Sequence, residues 1–161
     1  MRSVEVSEVK SPMVSTPDRR LRVFVSSAFD ELEAEREAAR TAISASRLTP
    51  LMSEPGTGPH PPAEIYRAYV ERADVFVGIY WQSYGWAAPG SDISAIEDEF
   101  ELAAGRPRLL YVKVPAPIRD ERLEALLEHL ETSEHATYRH FRSPQELRDI
   151  LTEDLAILLG E

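Results

Sequence analysis

Residues Ala73 to Ala103 read ADVFVGIYWQSYGWAAPGSDISAIEDEFELA, and their pattern decides the fold. Asp74 to Tyr80 is almost wholly apolar, as a central strand covered on both faces requires. An aromatic loop follows, Tyr80-Trp81-Gln82-Ser83-Tyr84-Gly85-Trp86. Ser94-Ala95-Ile96-Glu97 then has the form of a capping box, in which Ser accepts a first-turn N–H and Glu reaches back to the chain before it. The spacing predicts a helix from Ser94 to Ala104, closed by Gly105 with Pro107 two residues beyond.

The same strand-then-helix pattern recurs on both sides of this stretch. Upstream, Leu21 to Val25 is short, β-branched and aromatic, and ends at Ser26-Ser27. A Glu-, Ala- and Arg-rich helix is expected from Asp30 to about Ser46, with Phe29, Leu32, Ala39, Ile43 and the stem of Arg36 on one face. Leu48 to Met52 is a strand that Pro50 assigns to an edge. The Pro- and Gly-rich segment Glu54 to Pro62 is a loop, and Pro61 or Pro62 opens a helix whose period is marked by Ile65, Ala68, Tyr69 and Arg72. Downstream come a strand at Leu109 to Val114, a helix from about Asp120 to Glu131 and a strand at Thr137 to Phe141. A last helix opens at Ser143-Pro144-Gln145-Glu146 and buries Leu147, Ile150, Leu151, Leu155 and Leu158.

Five strands alternating with helices define an α/β doubly wound domain with a five-stranded parallel sheet. The order expected for five strands is 2-1-3-4-5, with ligands bound outside the C-terminal ends of strands 1 and 3. Those ends are Ser26-Ser27 and Tyr80-Trp81. Residues 1–20, polar and without periodicity, are read as a mobile leader, and 21–160 as a single domain.

Composition narrows the classes. The 161 residues are 43% hydrophobic and 29% charged, enough for one globular core. With 18 Lys+Arg against 28 Asp+Glu the net charge is -10, which disfavours a nucleic-acid partner. Cysteine is absent, so thiolate nucleophiles and Cys-based metal sites are excluded. No apolar run has the length of a membrane span and the N-terminus lacks a signal-peptide core, so a cytoplasmic protein is expected. His129, His135 and His140 lack zinc spacing, and no GxGxxG, P-loop or GxSxG pattern occurs.

Four acids crowd the helix after the aromatic loop. On a wheel of ~100° per residue, Ile96, Phe100 and Ala103 define the buried face, and Glu99 lies about 60° to one side of Ile96. Glu97, Asp98 and Glu101 are expected to face water, Glu97 serving with Ser94 as the cap. Glu99 is thus the candidate catalytic group, because a carboxyl among apolar neighbours has a raised pKa suited to acid, base or nucleophile work. Pairing with Arg36 is the structural alternative. Ser26, Ser27, Phe29, Trp81, Tyr84 and Gly85 are the candidate ligand contacts: hydroxyls, stacking faces and a close backbone approach. No metal ligands are assigned.

Arg22-Val23-Phe24-Val25-Ser26-Ser27-Ala28-Phe29, with Leu32 and Glu35-Arg36, resembles the opening of a TIR-like domain family found at the N-terminus of STAND-type NTPases. Asp74 to Ile79, Tyr84-Gly85, Ser94, Glu97-Asp98-Glu99-Phe100 and Gly105-Arg106-Pro107 continue the likeness in order. It covers about Leu21 to Val114 and is architectural beyond. The resemblance implies a flavodoxin-like, TIR-type fold. It also implies that Glu99, in Glu99-Phe100-Glu101-Leu102-Ala103, stands where TIR domains that cleave NAD carry their glutamate. The sequence departs from those patterns at Ala95, where the enzymes have Trp, and at Ala28, Glu31 and Ser83, where the TIR-like family usually has Thr, Asp and Arg. Implied with the family are NAD as substrate, no permanently bound cofactor, and partners in self-association through Glu54 to Pro62 or in a fused or associated STAND-type NTPase. Three readings stay open at this level: an NAD- or nucleotide-hydrolysing effector, a non-enzymatic homotypic module, and a nucleotide sensor without turnover.

Overall fold

A computed structural model describes residues 20–52, 63–87 and 90–160. The strands are β1 (Arg22–Ser27), β2 (Thr49–Met52), β3 (Val75–Tyr80), β4 (Arg108–Lys113) and β5 (Ala136–Phe141). The helices are α1 (Glu33–Ala45), α2 (Ala63–Arg72), α3 (Ala95–Leu102), α4 (Glu121–Glu131) and α5 (Pro144–Leu158). All pairings are parallel and the order is β2-β1-β3-β4-β5, the flavodoxin-like arrangement expected from the alternation. β2, with Pro50, is an edge strand, so the missing N–H of proline costs no inner ladder bond.

Successive strand residues alternate between two apolar layers. Val23, Val25, Val77 and Tyr111 face α1 and α5, while Phe24, Phe76, Leu110 and Val112 face α2, α3 and α4. β3 is buried along its whole length, the reason its sequence is continuously apolar. The fold confines the site to one place. β1 and β3 are neighbours, yet their following helices lie on opposite faces, and a crevice opens between them.

Several boundaries and faces differ from expectation. β1 runs on through Ser26 and Ser27, which pair with Gly78 and Ile79. α1 begins only at Glu33, because residues 29–31 form a turn after β1 first. α3 ends at Leu102. α2 buries Tyr66 and Val70, one turn apart, and leaves Ile65 45% exposed, so its apolar face is rotated from the Ile65–Tyr69 stripe. In α5, Leu147, Leu151 and Leu155 are buried whereas Leu158 is exposed near the helix end. The terminal caps of α4 and α5 form: Asp120 accepts from Arg122 N and Ser143 from Glu146 N. The leader up to residue 19 and the Glu54 to Pro62 loop lie outside the described residues.

Candidate active site

Period-two alternation places the two serines at the end of β1 on opposite faces. Ser26 points to α3 and donates from Oγ to Glu99 Oε1 at 2.6 Å. Ser27 points to α1 and accepts from Arg36 Nη1 at 2.9 Å. One strand end thereby joins a carboxyl and a guanidinium from helices on opposite faces of the sheet. Arg36 also covers the Phe29 ring at 4.7 Å, so both its charge and its plane are held in place.

Glu99, Ser27, Arg36 and Phe29 line a cleft of about 350 Å³. Val25 and Ile96 line it beside Glu99 and Ser27, Phe29, Tyr66 and Trp86 supply aromatic surface, and Asp30, Ser83 and Gly85, with Ala28 and Ala95, complete the lining. Glu99 is 7% exposed. Burial pushes its pKa up to about 8; the Ser26 hydroxyl and then the Arg36 charge act in the opposite direction, favouring the ionised form. At neutral pH the Glu99 carboxyl is therefore mostly protonated, with a proton exchangeable near physiological pH.

The structure brings Ser26, Ser27, Phe29, Gly85 and Glu99 to this place, with Ser26 acting through Glu99. It takes Trp81 and Tyr84 elsewhere. Trp81 donates from Nε1 to Pro115 O at 2.8 Å and lies under Lys113 Nζ at 4.2 Å. Tyr84 is buried against α3, its hydroxyl donating to Glu97 and accepting from Ser94 N. That hydroxyl stands between the two halves of the expected capping box. Ser94 Oγ does accept from Glu97 N, at 3.3 Å, but the Glu97 carboxylate reaches the Ser94 N–H only through Tyr84. Asp98, expected in water, is half-buried and accepts from Tyr66 Oη at 2.6 Å and Arg67 Nη2 at 3.0 Å. Both acids are drawn in because neighbouring elements supply donors that a wheel of one helix does not contain.

Trp86 is the cleft aromatic that sequence reasoning assigned to the loop but not to the ligand. Gly85 separates it from Tyr84 with φ +89°, a left-handed turn that sends the two rings to different surroundings. A Cβ at Gly85 would meet Ile96 only at 3.6 Å, so the glycine is required by backbone conformation and not by space. Among the described residues no group of three or more His, Asp or Glu could hold a metal ion.

A parallel five-stranded sheet in the order 2-1-3-4-5, with a buried carboxyl in a cleft at its switch point, defines a flavodoxin-like domain. The sequence matches the family described as domain of unknown function DUF4062 over residues 22–156, and the chain belongs to that family. The match reaches well past Val114, where the recognisable motifs stop. No curated protein matches the sequence. Solved structures show the same fold at low identity. A CMP N-glycosidase from Clostridium botulinum is 17% identical with a TM-score of 0.52, over 83% of this chain and 98% of its own. A diflavin flavoprotein from Nostoc sp. is 13% identical with a TM-score of 0.52, over 84% and 89%. The flavodiiron core of a Synechocystis protein is 12% identical with a TM-score of 0.50, over 89% of this chain and 37% of that one.

Proposed function

We propose that this domain is a TIR-like effector or signalling module whose cleft takes a nucleotide, NAD or a relative, and breaks its N-glycosidic bond with the help of Glu99. The observation that carries the reading is the Glu99 carboxyl, buried in an aromatic-walled cleft, with the Ser26 hydroxyl and the Arg36 charge both favouring its ionised form. A solved structure of the same fold is that of a CMP N-glycosidase, which is chemistry of the proposed class.

A cationic base such as the pyridinium of NAD favours the ionised form of Glu99, because an adjacent positive charge lowers a carboxyl pKa. The C1′–N bond then breaks, its electron pair leaving with the now neutral nicotinamide. The carboxylate stabilises the oxocarbenium-like ribosyl centre, as carboxylates do in glycoside cleavage. Water adds to C1′, and the proton it loses passes to Glu99 and then to solvent. NAD and water thus give ADP-ribose, nicotinamide and a proton, with no cofactor consumed.

In the same reading the domain works by self-association or with a fused or associated STAND-type NTPase in the cytoplasm. Among the described residues no helix is long and apolar enough to cross a membrane, which fits that setting.

The test is nicotinamide release from NAD by concentrated protein, beside a Glu99→Gln variant. Release by the parent chain and none by the variant is expected. No release at any concentration, with crowding agent included, would overturn catalysis and leave the non-enzymatic module. Equal release from both chains would remove Glu99 from the mechanism.

A further inference from the structure

On a doubly wound sheet, the loops after strands 1 and 3 and the helix start that follows them ordinarily offer backbone N–H groups to a ligand phosphate. Here several of those groups are already taken. Gln82 N and Ser83 N, at the head of the loop after β3, both donate to Glu31 Oε2, at 3.0 and 2.8 Å. Gly85 N donates to Ser83 Oγ at 3.0 Å. At the start of α3, Ala95 N donates to Trp86 O at 2.7 Å and Glu97 N to Ser94 Oγ. Glu31, from the loop after β1, therefore sits as an internal anion where a phosphate would otherwise be received.

The charges point the same way. Among the described lining residues Arg36 is the cation, and it is engaged with Ser27 and laid over Phe29. Asp30 and Glu99 are carboxyls in the same lining, within a chain of net charge -10. A phosphate placed in this lining would gain few charge-assisted bonds and meet repulsion from the Asp30 carboxylate. Aromatic surface and a carboxyl instead suit a flat, cationic base with its ribose.

We infer that the cleft recognises the phosphate-free end of its ligand, a nucleoside with a cationic base, and leaves any phosphates outside in solvent. This rests on the reading of the cleft as a site for a nucleotide's base and sugar, but not on turnover. Nicotinamide riboside, carrying its own pyridinium charge, is the minimal ligand of this class. Its 5′-monophosphate and NAD are expected to bind no better, and Glu31 is the residue that keeps it so.

The experiment is a rapid-mixing titration of the full chain with nicotinamide riboside, its 5′-monophosphate and NAD, read by tryptophan fluorescence. The three dissociation constants are expected to agree within about threefold, whereas a phosphate held by charge-assisted bonds would bind more than about tenfold tighter. Glu31→Ala frees the Gln82 and Ser83 N–H groups and is expected to tighten binding of the monophosphate by about tenfold while leaving the riboside unchanged. Ser83→Arg, which leaves the Glu31 side chain in place, is expected to shift the preference toward phosphate in the same direction. A parent chain that prefers the phosphorylated ligands more than tenfold, two variants that leave the ratio unmoved, or failure of all three ligands to bind would overturn the inference. Binding in the expected order without nicotinamide release would instead sustain it while removing the glycosidase reading.

Discussion

Replacing Glu99 by Gln keeps an oxygen for the Ser26 hydroxyl and nearly the same volume, and removes only the ability to ionise. In the folded chain burial holds the Glu99 pKa at about 8, against an ordinary value of 4.5. Between those pH values the native state retains a proton that the unfolded chain has released, so stability falls as pH rises through the window and levels off above pH 8. At 1.36 kcal/mol per unit, the parent chain should lose about 4 kcal/mol relative to Glu99→Gln between pH 5 and pH 9, some 3 kcal/mol of it by neutral pH. The variant should therefore be nearly as stable as the parent at pH 5 and clearly more stable at pH 9. Urea unfolding at each pH, followed by the fluorescence of Trp81 and Trp86, reports the difference directly, and other titrating groups cancel between the two chains. Curves that stay parallel from pH 5 to pH 9 would refute the claim that Glu99 is a buried, proton-holding carboxyl. A parent that gains stability with pH would mean that it is held ionised, as in a tight ion pair.

Three further outcomes follow from the same geometry. Ser26→Ala removes the hydrogen bond that favours the ionised form, so the pH at which the decline in stability levels off should move higher in the variant than in the parent, and a downward move would contradict the assigned role. Gly78→Ala should cost about 1–3 kcal/mol in chemical denaturation, because the new Cβ would stand 2.6 Å from Tyr80 Cζ in a fully buried strand; Tyr80→Phe, which deletes a buried hydroxyl lacking a hydrogen-bond partner, should be neutral or stabilising. Asp154→Ala orphans the buried Tyr111 hydroxyl, which donates at 2.6 Å, and takes from Arg139 its 2.7 Å partner while Glu153 stays at 3.2 Å, and a loss of about 2–4 kcal/mol is expected; an unchanged urea midpoint would show that the network adds nothing.

Periodicity carried the fold. Most strands and helices announce their buried face through their own residues, and a proline at position 50 suits an edge, so the order of the sheet was legible without coordinates. The same local logic singled out Glu99, whose place beside Ile96 and Phe100 on α3 is a property of eight consecutive residues. What surrounds Glu99 is not local. Ser26 lies 73 positions away, and its neighbour Ser27 serves Arg36 on the other face only because the strand alternates there. Loops have no period, so nothing along the chain distinguishes Trp86, which lines the cleft, from Trp81 and Tyr84, which do not. In α2 the competition between Ile65 and Tyr66 for the core was decided by Asp98, which supplies the Tyr66 hydroxyl with a partner from another helix. Glu31 shows the same limit: it is one acid among many in the sequence, and becomes the anion of the β3 loop only when two backbone N–H groups are brought to it. The sequence alone determined the layers, the strand order and the candidate acid, because those follow from repeating local geometry. Only the tertiary structure decided the partners of that acid and the walls of its cleft, because these are contacts between elements whose approach no single segment encodes.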